Sequence, residues 1–247
     1  MNALNSHSTI GFISDLHLAE EQPERIALFL RFLEKYSSQL DQLYILGDLF
    51  EVWLGDDLTS APIKSVIDAL KQASNLLPIN IIHGNRDFLM GTQFEKLSGC
   101  KIVDEPLIIN LEREAALLMH GDLLCIDDHD YMEMRKTLRP PAWIDSFLNK
   151  SSSERLSIAK ELRQKSQMAI QNKNIEIMDA NSAEVLKYME QHHVELLIHG
   201  HTHRTAIHHH TLSTGQKVKR YVLDEWHDDH GQILISDKNG LHFKTVY

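Results

Sequence analysis

The residues best suited to chemistry are His201 and His203, in the segment HGHTH that follows the apolar run from Val194 to Ile198. The run predicts a buried strand, and Gly200 predicts a loop where the strand ends. In an extended backbone, side chains two positions apart point to the same side. Because neutral imidazole is the commonest metal ligand in proteins, the pair predicts a metal site. A polar loop with satisfied histidines is an equally good interpretation of this segment alone.

Further polar residues follow apolar runs in the same way along the chain. Their carboxylate, amide and imidazole groups suit a borderline divalent ion such as Mn²⁺, Fe²⁺ or Zn²⁺. Seven ligands are too many for one four-coordinate ion, but they suit two ions that share a carboxylate about 3.5–4 Å apart. Each residue alone could be a capping Asp or a core His, whereas the ordered set favours a metal centre. The complete set is Asp15, His17, Asp48, Asn85, His120, His201 and His203.

The elements that must position these residues alternate between strand and helix. Strands are predicted at 8–14, 43–46 and 78–82, with helices at 23–36 and 62–74 between them. This alternation is typical of an α/β fold whose site lies at the carboxyl ends of the strands. Further along, the patterns predict a hairpin over 107–119, a helix over 182–191, and two or three antiparallel strands within 218–246.

Residues 129–180 break this rhythm and predict a helical insertion within a single domain of residues 8–247. Helices broken at Pro140-Pro141 and at the serines 151–153 are expected there. Residues 129–173 hold 9 Lys and Arg against 5 Asp and Glu, whereas the rest of the chain holds 16 against 30. A basic insert on an acidic protein suggests an anionic partner, or equally a solvated helical face.

Composition narrows the class of protein. The 247 residues are 43% hydrophobic, enough for a sizeable core, and the net charge of -10 argues against a nucleic-acid binder. Two cysteines without a CxxC motif suit a reducing compartment. The first ten residues lack the apolar stretch of a signal peptide, and no apolar run is long enough to span a membrane. His208, His209 and His210 are predicted to form an exposed polar turn rather than ligands.

Five ordered blocks carry a resemblance to a known family. They are D-x-H at Asp15, G-D at Asp48, G-N-R-D at Asn85, H-G at His120 and G-H-x-H at His201. In this order they resemble the calcineurin-type metallophosphoesterases. The resemblance implies a sandwich of two central β-sheets flanked by helices, with a helical lid insertion over 129–180. It also implies two Mn²⁺ ions per chain. One ion would be held by Asp15, His17, Asp48 and His203. The other would be held by Asp48, Asn85, His120 and His201.

Arg86 departs from the pattern of most of this superfamily, which has His at that position. Arginine cannot act as a general acid near neutral pH, because its pKa lies above about 12. Its guanidinium can instead bind a diphosphate in a bidentate manner and offset negative charge. A structural ion pair with Asp87 is the alternative.

Arg86 and the segments LYILGDLFEVWLGDD, MHGDLLCIDD and EIMDAN resemble one branch of the family over nearly the whole chain. That branch implies UDP-2,3-diacylglucosamine as the substrate, with 2,3-diacylglucosamine 1-phosphate and UMP as products. It also implies a monomer on the cytoplasmic face of the bacterial inner membrane, bound peripherally. The implied catalytic residues are Asp48, Asn85, Arg86 and His120. The implied substrate contacts are Asn85, Arg86, Asp128, Ser166, Lys173 and His201.

One position differs from that branch. Ile170 stands where the branch often has Asn, so only the backbone of this residue could form a hydrogen bond with the substrate. The apolar helices of the insert, including Trp143 and Phe147, could cover acyl chains, or they could form a second small core. Two other functions stay open at this point. One is another metallophosphoesterase acting on nucleotides, either a dinucleoside polyphosphate hydrolase or a cyclic nucleotide phosphodiesterase. The other is a non-catalytic scaffold with the same fold.

Overall fold

The computed structural model describes residues 8–171 and 179–247, and it leaves the side chains of residues 166–171 undescribed. A short 3-10 helix, Asp122–Leu124, lies between the last strand of the predicted hairpin and the insert. The other elements, in chain order, are β1 (Ile10–Ile13), α1 (Pro23–Tyr36), β2 (Gln42–Leu46), α2 (Ala61–Ser74), β3 (Ile79–Ile82), α3 (Thr92–Ser98), β4 (Lys101–Val103), β5 (Leu107–Asn110), β6 (Ala115–Leu118), α4 (His129–Leu138), α5 (Pro141–Leu148), α6 (Ser152–Gln171), α7 (Ser182–Gln191), β7 (Leu196–His199), β8 (Ala206–Thr211), β9 (Lys217–Val222), β10 (Gly231–Asp237) and β11 (Gly240–Val246).

The strands form two sheets. The first has the order β11-β10-β1-β2-β3-β4, in which β1 to β4 run parallel. The second has the order β5-β6-β7-β9-β8, in which β6, β7 and β9 run parallel. Parallel strands present their carboxyl ends at one edge of a sheet, so each sheet has one edge where the loops after several strands meet.

Apolar side chains join the layers. Phe12 and Tyr44 of the first sheet pack with Leu118 and Ile198 of the second, forming a core between the sheets. A larger core lies between the first sheet and helices α1, α2 and α3, and a third lies between the second sheet and α7. The predicted fold class, two central sheets flanked by helices with a helical insertion, is therefore confirmed.

Most of the predicted elements are confirmed with small changes at their ends. The helix expected over 23–36 is α1, and the hairpin expected over 107–119 is the antiparallel pair β5 and β6. Two short elements, α3 and β4, were not predicted. The antiparallel strands predicted in the tail are present, since β10 and β11 form an antiparallel pair. Strand β9 lies in the other sheet, antiparallel to β8 and parallel to β7.

The prediction of a polar turn at His208, His209 and His210 was wrong, because these residues lie within strand β8. That strand pairs with β9, and His208 lies opposite Arg220. Its residues alternate between half-buried and exposed, as expected for an edge strand with one covered face. Pairing with a neighbouring strand outweighs the polar character of the triplet.

The insert consists of α4, α5 and α6, and no strand is present in its described residues. Its only buried apolar side chain in the described part is Phe147, which joins the core on the helical side of the first sheet. Trp143 packs against the same core while half-buried. Among the described residues, no helix is both long enough and apolar enough to cross a membrane.

Candidate metal centre and active site

The predicted ligands lie in the loops at the carboxyl ends of five strands. Asp15 and His17 follow β1, Asp48 follows β2, and Asn85 follows β3, all in the first sheet. The others come from the second sheet, where His120 follows β6 and His201 and His203 follow β7. The two sheets thus contribute ligands from facing edges, and the structure brings all seven predicted residues to one place.

The backbone at these positions is unusual. Within residues 8–171 and 179–247, six non-glycine residues have positive φ, and five of them are predicted ligands: Asp15 (55°), His17 (50°), Asp48 (50°), His201 (68°) and His203 (52°). Such conformations cost energy for residues with a Cβ and cluster at functional sites. The prediction that His201 and His203 share a side of an extended backbone was therefore wrong. Both are left-handed, and their rings face different partners.

Two glycines of the motifs are required by close approach rather than by a turn. A Cβ on Gly84 would lie 2.0 Å from Oδ1 of Asp48, and a Cβ on Gly200 would lie 2.1 Å from Oδ2 of Asp15. Neither glycine has positive φ. Gly200 lies in the loop directly after β7, as predicted, and it leaves the space that a side chain would occupy. Only a residue without a side chain lets the neighbouring loop come this close to the ligand carboxylates.

Two groups of these side chains have the spacing of metal sites. Asp15, His17 and His203 form one group, and Asp15, Asp48 and His120 form the other. Within each group the ligand atoms lie within 4.8 Å of one another. Oδ2 of Asp48 lies 3.8 Å from Nε2 of His17 and 3.8 Å from Nε2 of His120. Asp15 belongs to both groups, and Asp48 lies between a histidine of the first group and one of the second. The assignment of Asp48 as the shared carboxylate stays what the family resemblance implies.

The imidazole nitrogens show how a metal fits these residues. Nε2 of His17 is buried without a hydrogen-bond partner among the described residues, and it lies 3.9 Å from Oδ1 of Asp15. The distances from this nitrogen to Asp15 (3.9 Å) and to Asp48 (3.8 Å) are too long for hydrogen bonds. They are shorter than the summed length of two metal–ligand bonds of about 2.1 Å each, so one ion can contact both partners. A divalent ion would supply the partner that this buried nitrogen lacks.

Each histidine of the two groups uses its other nitrogen for a supporting contact. Nδ1 of His17 is 2.9 Å from Oε2 of Glu51, and Nδ1 of His203 is 2.9 Å from Oε2 of Glu225. Nδ1 of His120 is 2.8 Å from the carbonyl oxygen of Leu46. Metal-binding histidines usually donate their second N–H to a carboxylate or carbonyl, which fixes the tautomer and leaves Nε2 for the ion. All three histidines have this arrangement.

The charges of the cluster compensate one another. Burial alone would raise the pKa of Asp15, but the hydrogen bond with His203 and the nearby His120 hold that pKa well below its usual range. Burial raises the pKa of Asp48 to about 6. Burial opposes a charge on His120, yet the carboxylates of Asp48 and Asp15 raise its pKa to about 9. Burial lowers the pKa of His201 to about 4, which keeps it neutral and able to bind a cation.

Asn85 and His201 lie beside His120 of the second group. Oδ1 of Asn85 is 3.0 Å from Nε2 of His120. The ring centroid of His201 is 5.0 Å from that of His120 and 5.8 Å from that of Tyr131. The centroid of His203 is instead 5.4 Å from that of His17, in the first group. The two motif histidines therefore lie beside different groups, and their roles as ligands of different ions stay a prediction.

The metal centre opens into a cavity of about 630 Å³ that extends beneath the insert. His17, Asp48, Asn85 and His201 belong to its lining. Asp128, which caps α4 by accepting a hydrogen bond from the backbone of Tyr131 at 3.0 Å, lines it as well. Much of the remaining lining is apolar and includes Phe88, Met134, Leu138, Trp143 and Leu162.

Arg86 lines the same cavity. Its backbone N–H donates to Oδ1 of Asp48 at 2.8 Å, and its side chain lies 3.9 Å from Glu51. Nε of Arg86 is buried without a partner among the described residues. Asp87 instead accepts hydrogen bonds from backbone N–H groups, including that of Gly84 at 2.8 Å. The alternative of an ion pair between Arg86 and Asp87 is therefore wrong.

The remaining predicted substrate contacts lie outside the described part. Lys173 falls within residues 172–178, and the side chains of Ser166 and Ile170 are among those not described. Their assignment to the substrate stays a prediction.

The basic excess of the insert has a structural use that the sequence did not show. Arg135 pairs with Asp122 at 2.8 Å and with Glu105 at 3.0 Å. Arg139 donates to the carbonyl oxygen of Gly84 at 2.9 Å. Arg155 pairs with Asp57, and Arg163 pairs with Glu51, both in the loop after β2. Four arginines therefore bind the insert to the acidic body, and the anionic partner inferred from charge stays a prediction.

The sequence reasoning missed the carboxylates that support the histidines. Glu51 had a weak signal, since it is a charged residue in the apolar stretch from Leu49 to Trp53. Glu225 had none, because its contact with His203 depends on the loop after β9. Glu105, whose Oε2 accepts the backbone N–H of His120 at 2.8 Å, also carries no local pattern.

Comparison with known proteins identifies the family of the chain. A protein of Chromohalobacter salexigens named UDP-2,3-diacylglucosamine hydrolase is 44% identical over 231 residues, covering 93% of this chain and 94% of the relative. Its namesake from Pseudomonas entomophila is 45% identical over 235 residues, covering 94% and 96%. The namesake from Klebsiella pneumoniae is 42% identical over 236 residues, covering 94% and 98%. The model of the family described as calcineurin-like phosphoesterase matches residues 8–205. The chain therefore belongs to the calcineurin-like phosphoesterase family.

Proposed function

We propose that this protein hydrolyses the diphosphate bond of UDP-2,3-diacylglucosamine, giving 2,3-diacylglucosamine 1-phosphate and UMP. The observation that carries the proposal is the shape of the cavity, in which the metal centre opens directly into an apolar space beneath the insert. A substrate that carries a diphosphate next to two acyl chains matches a cavity lined by both metal-centre residues and apolar side chains. The names of relatives that cover nearly the whole chain support the same substrate.

The protein residues position the substrate for attack at phosphorus. Bound divalent ions supply Lewis acidity, which activates water and offsets negative charge on the phosphoryl oxygens. Arg86 lines the cavity, where its guanidinium can bind the diphosphate in a bidentate manner. Asp48 accepts the backbone N–H of Arg86, which joins the loops after β2 and β3, and Asn85 contacts His120 in the loop after β6. A phosphate leaving group can depart without a proton, which is consistent with Arg in place of a histidine acid.

We propose Mn²⁺ as the bound ion, with two per chain. The set of carboxylate, amide and imidazole ligands suits Mn²⁺ and related borderline ions rather than a thiolate site. Metal analysis after purification from cells grown with several divalent ions, followed by competition between Mn²⁺ and Zn²⁺ in activity assays, tests the choice.

We also propose a monomer that binds peripherally to the cytoplasmic face of the inner membrane. The support for membrane binding is the two acyl chains of the proposed substrate. The charge of the insert adds little support, because four of its arginines are already paired with the body. The large exposed apolar side chains, such as Leu76, Leu156 and Ile207, lie on separate elements. Sedimentation with anionic liposomes and light scattering in solution test these two points. Failure to sediment, or a dimer mass, would overturn the respective proposal.

The function itself is tested by incubation with UDP-2,3-diacylglucosamine and Mn²⁺ while UMP is measured. UDP-N-acetylglucosamine, which lacks the two acyl chains, is the matched control substrate. Rapid release of UMP from the diacyl substrate alone is expected. Faster hydrolysis of a dinucleoside polyphosphate or a cyclic nucleotide would instead favour another phosphoesterase activity, and a fully loaded protein inert toward all of them would indicate a scaffold.

A further inference from the structure

Glu51 occupies a junction that the proposed mechanism does not use. Its carboxylate is largely buried, with 19% of the side chain exposed, although it lies three residues after Asp48 in a loop. Oε2 is 2.9 Å from Nδ1 of His17, and Oε1 accepts a hydrogen bond from Arg163 of α6. The same Oε1 is 3.9 Å from the guanidinium of Arg86. One carboxylate therefore contacts a predicted metal ligand, the insert and a predicted substrate residue.

The contact with His17 decides how that ring can serve a metal. An imidazole has two neutral tautomers, and the ring can also rotate. A carboxylate at Nδ1 favours the tautomer with its proton on Nδ1, which leaves the lone pair on Nε2. In this structure Nε2 is the buried nitrogen without a partner, and it faces Asp15 and Asp48. Without Glu51, nothing among the described contacts of His17 would select this orientation.

The contact with Arg163 ties the insert to the same point. Helix α6 rests on residues 51–57 through two arginines that are eight positions apart, about two helical turns. Arg155 is buried, donates to the carbonyl oxygen of Leu54 at 2.7 Å and pairs with Asp57 at 2.8 Å. Arg155 therefore serves as the structural attachment. Arg163 is the attachment that reaches the active-site cavity, and its side chain is 44% exposed.

We propose that Glu51 is a positioning residue that orients His17 for metal binding and holds Arg86 and Arg163 together as a two-arginine site for the substrate's diphosphate. An approaching diphosphate replaces the shared carboxylate as the partner of both guanidinium groups, because it offers more acceptor oxygens and more negative charge. Arg163 thereby becomes a further substrate-binding residue, contributed by the insert. The part that concerns the arginines rests on the proposed function, whereas the part that concerns His17 does not.

The first experiment measures Mn²⁺ binding to metal-depleted protein by calorimetry. Glu51→Ala is expected to weaken binding by about 10–100-fold, the usual effect of removing a partner of a ligating histidine. Glu51→Gln, which keeps an acceptor oxygen, is expected to lose less than about tenfold. In a His17→Ala background, Glu51→Ala should have no further effect, because its action passes through that ring. Glu161→Ala, an exposed carboxylate on α6, is the matched control and should bind as the unsubstituted protein does.

Thermal unfolding of the metal-depleted variants separates positioning from general damage. The midpoints of the two Glu51 variants should agree with each other while their affinities for Mn²⁺ differ. Unchanged Mn²⁺ binding in Glu51→Ala, or a loss that persists undiminished in the His17→Ala background, would overturn the role assigned to Glu51.

The second experiment measures binding of UDP, which carries the diphosphate without acyl chains, to the Mn²⁺-loaded protein. Arg163→Ala is expected to weaken UDP binding about tenfold, while Mn²⁺ affinity stays within about twofold. Lys160→Ala, an exposed cation one turn earlier on α6, should change neither. Equal UDP affinity in Arg163→Ala and Lys160→Ala would overturn the two-arginine site. Because no turnover is needed, this result stands apart from the identity of the substrate.

Discussion

The metal centre and the insert are built by opposite means. Asp15, Asp48 and His120 are at most 2% exposed, and they lie on loops that continue the central strands of two sheets. Among the described residues of α4 and α5, Phe147 alone is buried. The comparison suggests that the reacting groups are held by a rigid framework, whereas the surface that covers the rest of the substrate is only loosely packed and can adapt.

The way in which each region is held differs as well. Backbone conformations of positive φ and close-approaching glycines determine the metal centre. The insert is held by arginines that reach acidic residues of the body, notably Arg135 to Asp122 and Arg155 to Asp57. The two pairs differ in strength. The carboxylate of Asp57 is 62% exposed, so its pair with Arg155 contributes little stability. Asp122 is fully buried, so removing Arg135 from it would be costly.

The largest expected effect comes from the shared carboxylate of the metal centre. Asp48→Ala should lower turnover of every phosphate substrate by about 10³-fold or more, because it removes a group needed for the charge of the transition state. Steady-state rates in excess Mn²⁺ test this with the diacyl substrate and with bis(p-nitrophenyl) phosphate. Asp68→Ala, an exposed carboxylate on α2, is the control. Retained activity in Asp48→Ala would contradict the two-metal assignment.

The next effect should be selective for the acylated substrate. Trp143→Ala removes part of the apolar wall of the cavity, and burying a large apolar side chain against a ligand is worth about 1.5–3 kcal/mol. We expect a roughly tenfold loss of kcat/KM for the diacyl substrate and little change for bis(p-nitrophenyl) phosphate. Leu156→Ala, on an exposed part of α6, should change neither. An equal loss of kcat/KM for both substrates in Trp143→Ala would contradict a separate role of the insert in binding the acyl chains.

A smaller effect concerns protons released by metal binding. His120 has its pKa raised to about 9, so it is protonated at pH 7 without metal and must become neutral to bind an ion. Mn²⁺ affinity should therefore rise with pH between 7 and 9, and about one proton should be released per chain at pH 7. Calorimetry in two buffers of different ionisation enthalpy measures the number. The same release from His120→Gln would show that another group supplies the proton.

The smallest effect lies outside both regions. Asn181 caps α7, where its side chain accepts the backbone N–H groups of Ala183 at 3.0 Å and Glu184 at 3.1 Å. Asn181→Ala should lower the free energy of unfolding by about 1 kcal/mol, the usual value of such a cap, while kcat/KM stays within about twofold. Urea unfolding and the standard assay measure the two quantities. A large loss of activity without loss of stability would give this motif residue a role in the site.

Much of the fold and of the candidate site could be predicted from local patterns. The helix over 23–36 and the strand before Asp48 have clear apolar periodicity, and each polar motif directly follows such a strand. Because parallel strands end at one edge of a sheet, the order of the motifs was enough to place Asp15, Asp48 and Asn85 near one another. The wrong predictions fall where periodicity is weak or misleading, as at His208 in β8.

The sequence by itself determined which residue types stand at the strand ends, and therefore that carboxylate, amide and imidazole groups meet in one place. Only the tertiary structure decided how those groups are oriented. The left-handed backbone of His201 and His203, the support of His17 by Glu51, and the pairing of the insert's arginines with the body all depend on contacts between distant parts of the chain. Glu51 and Arg163, for example, are separated by 112 positions. Local patterns carry the geometry of one element, whereas these contacts form only when packed elements bring distant side chains together.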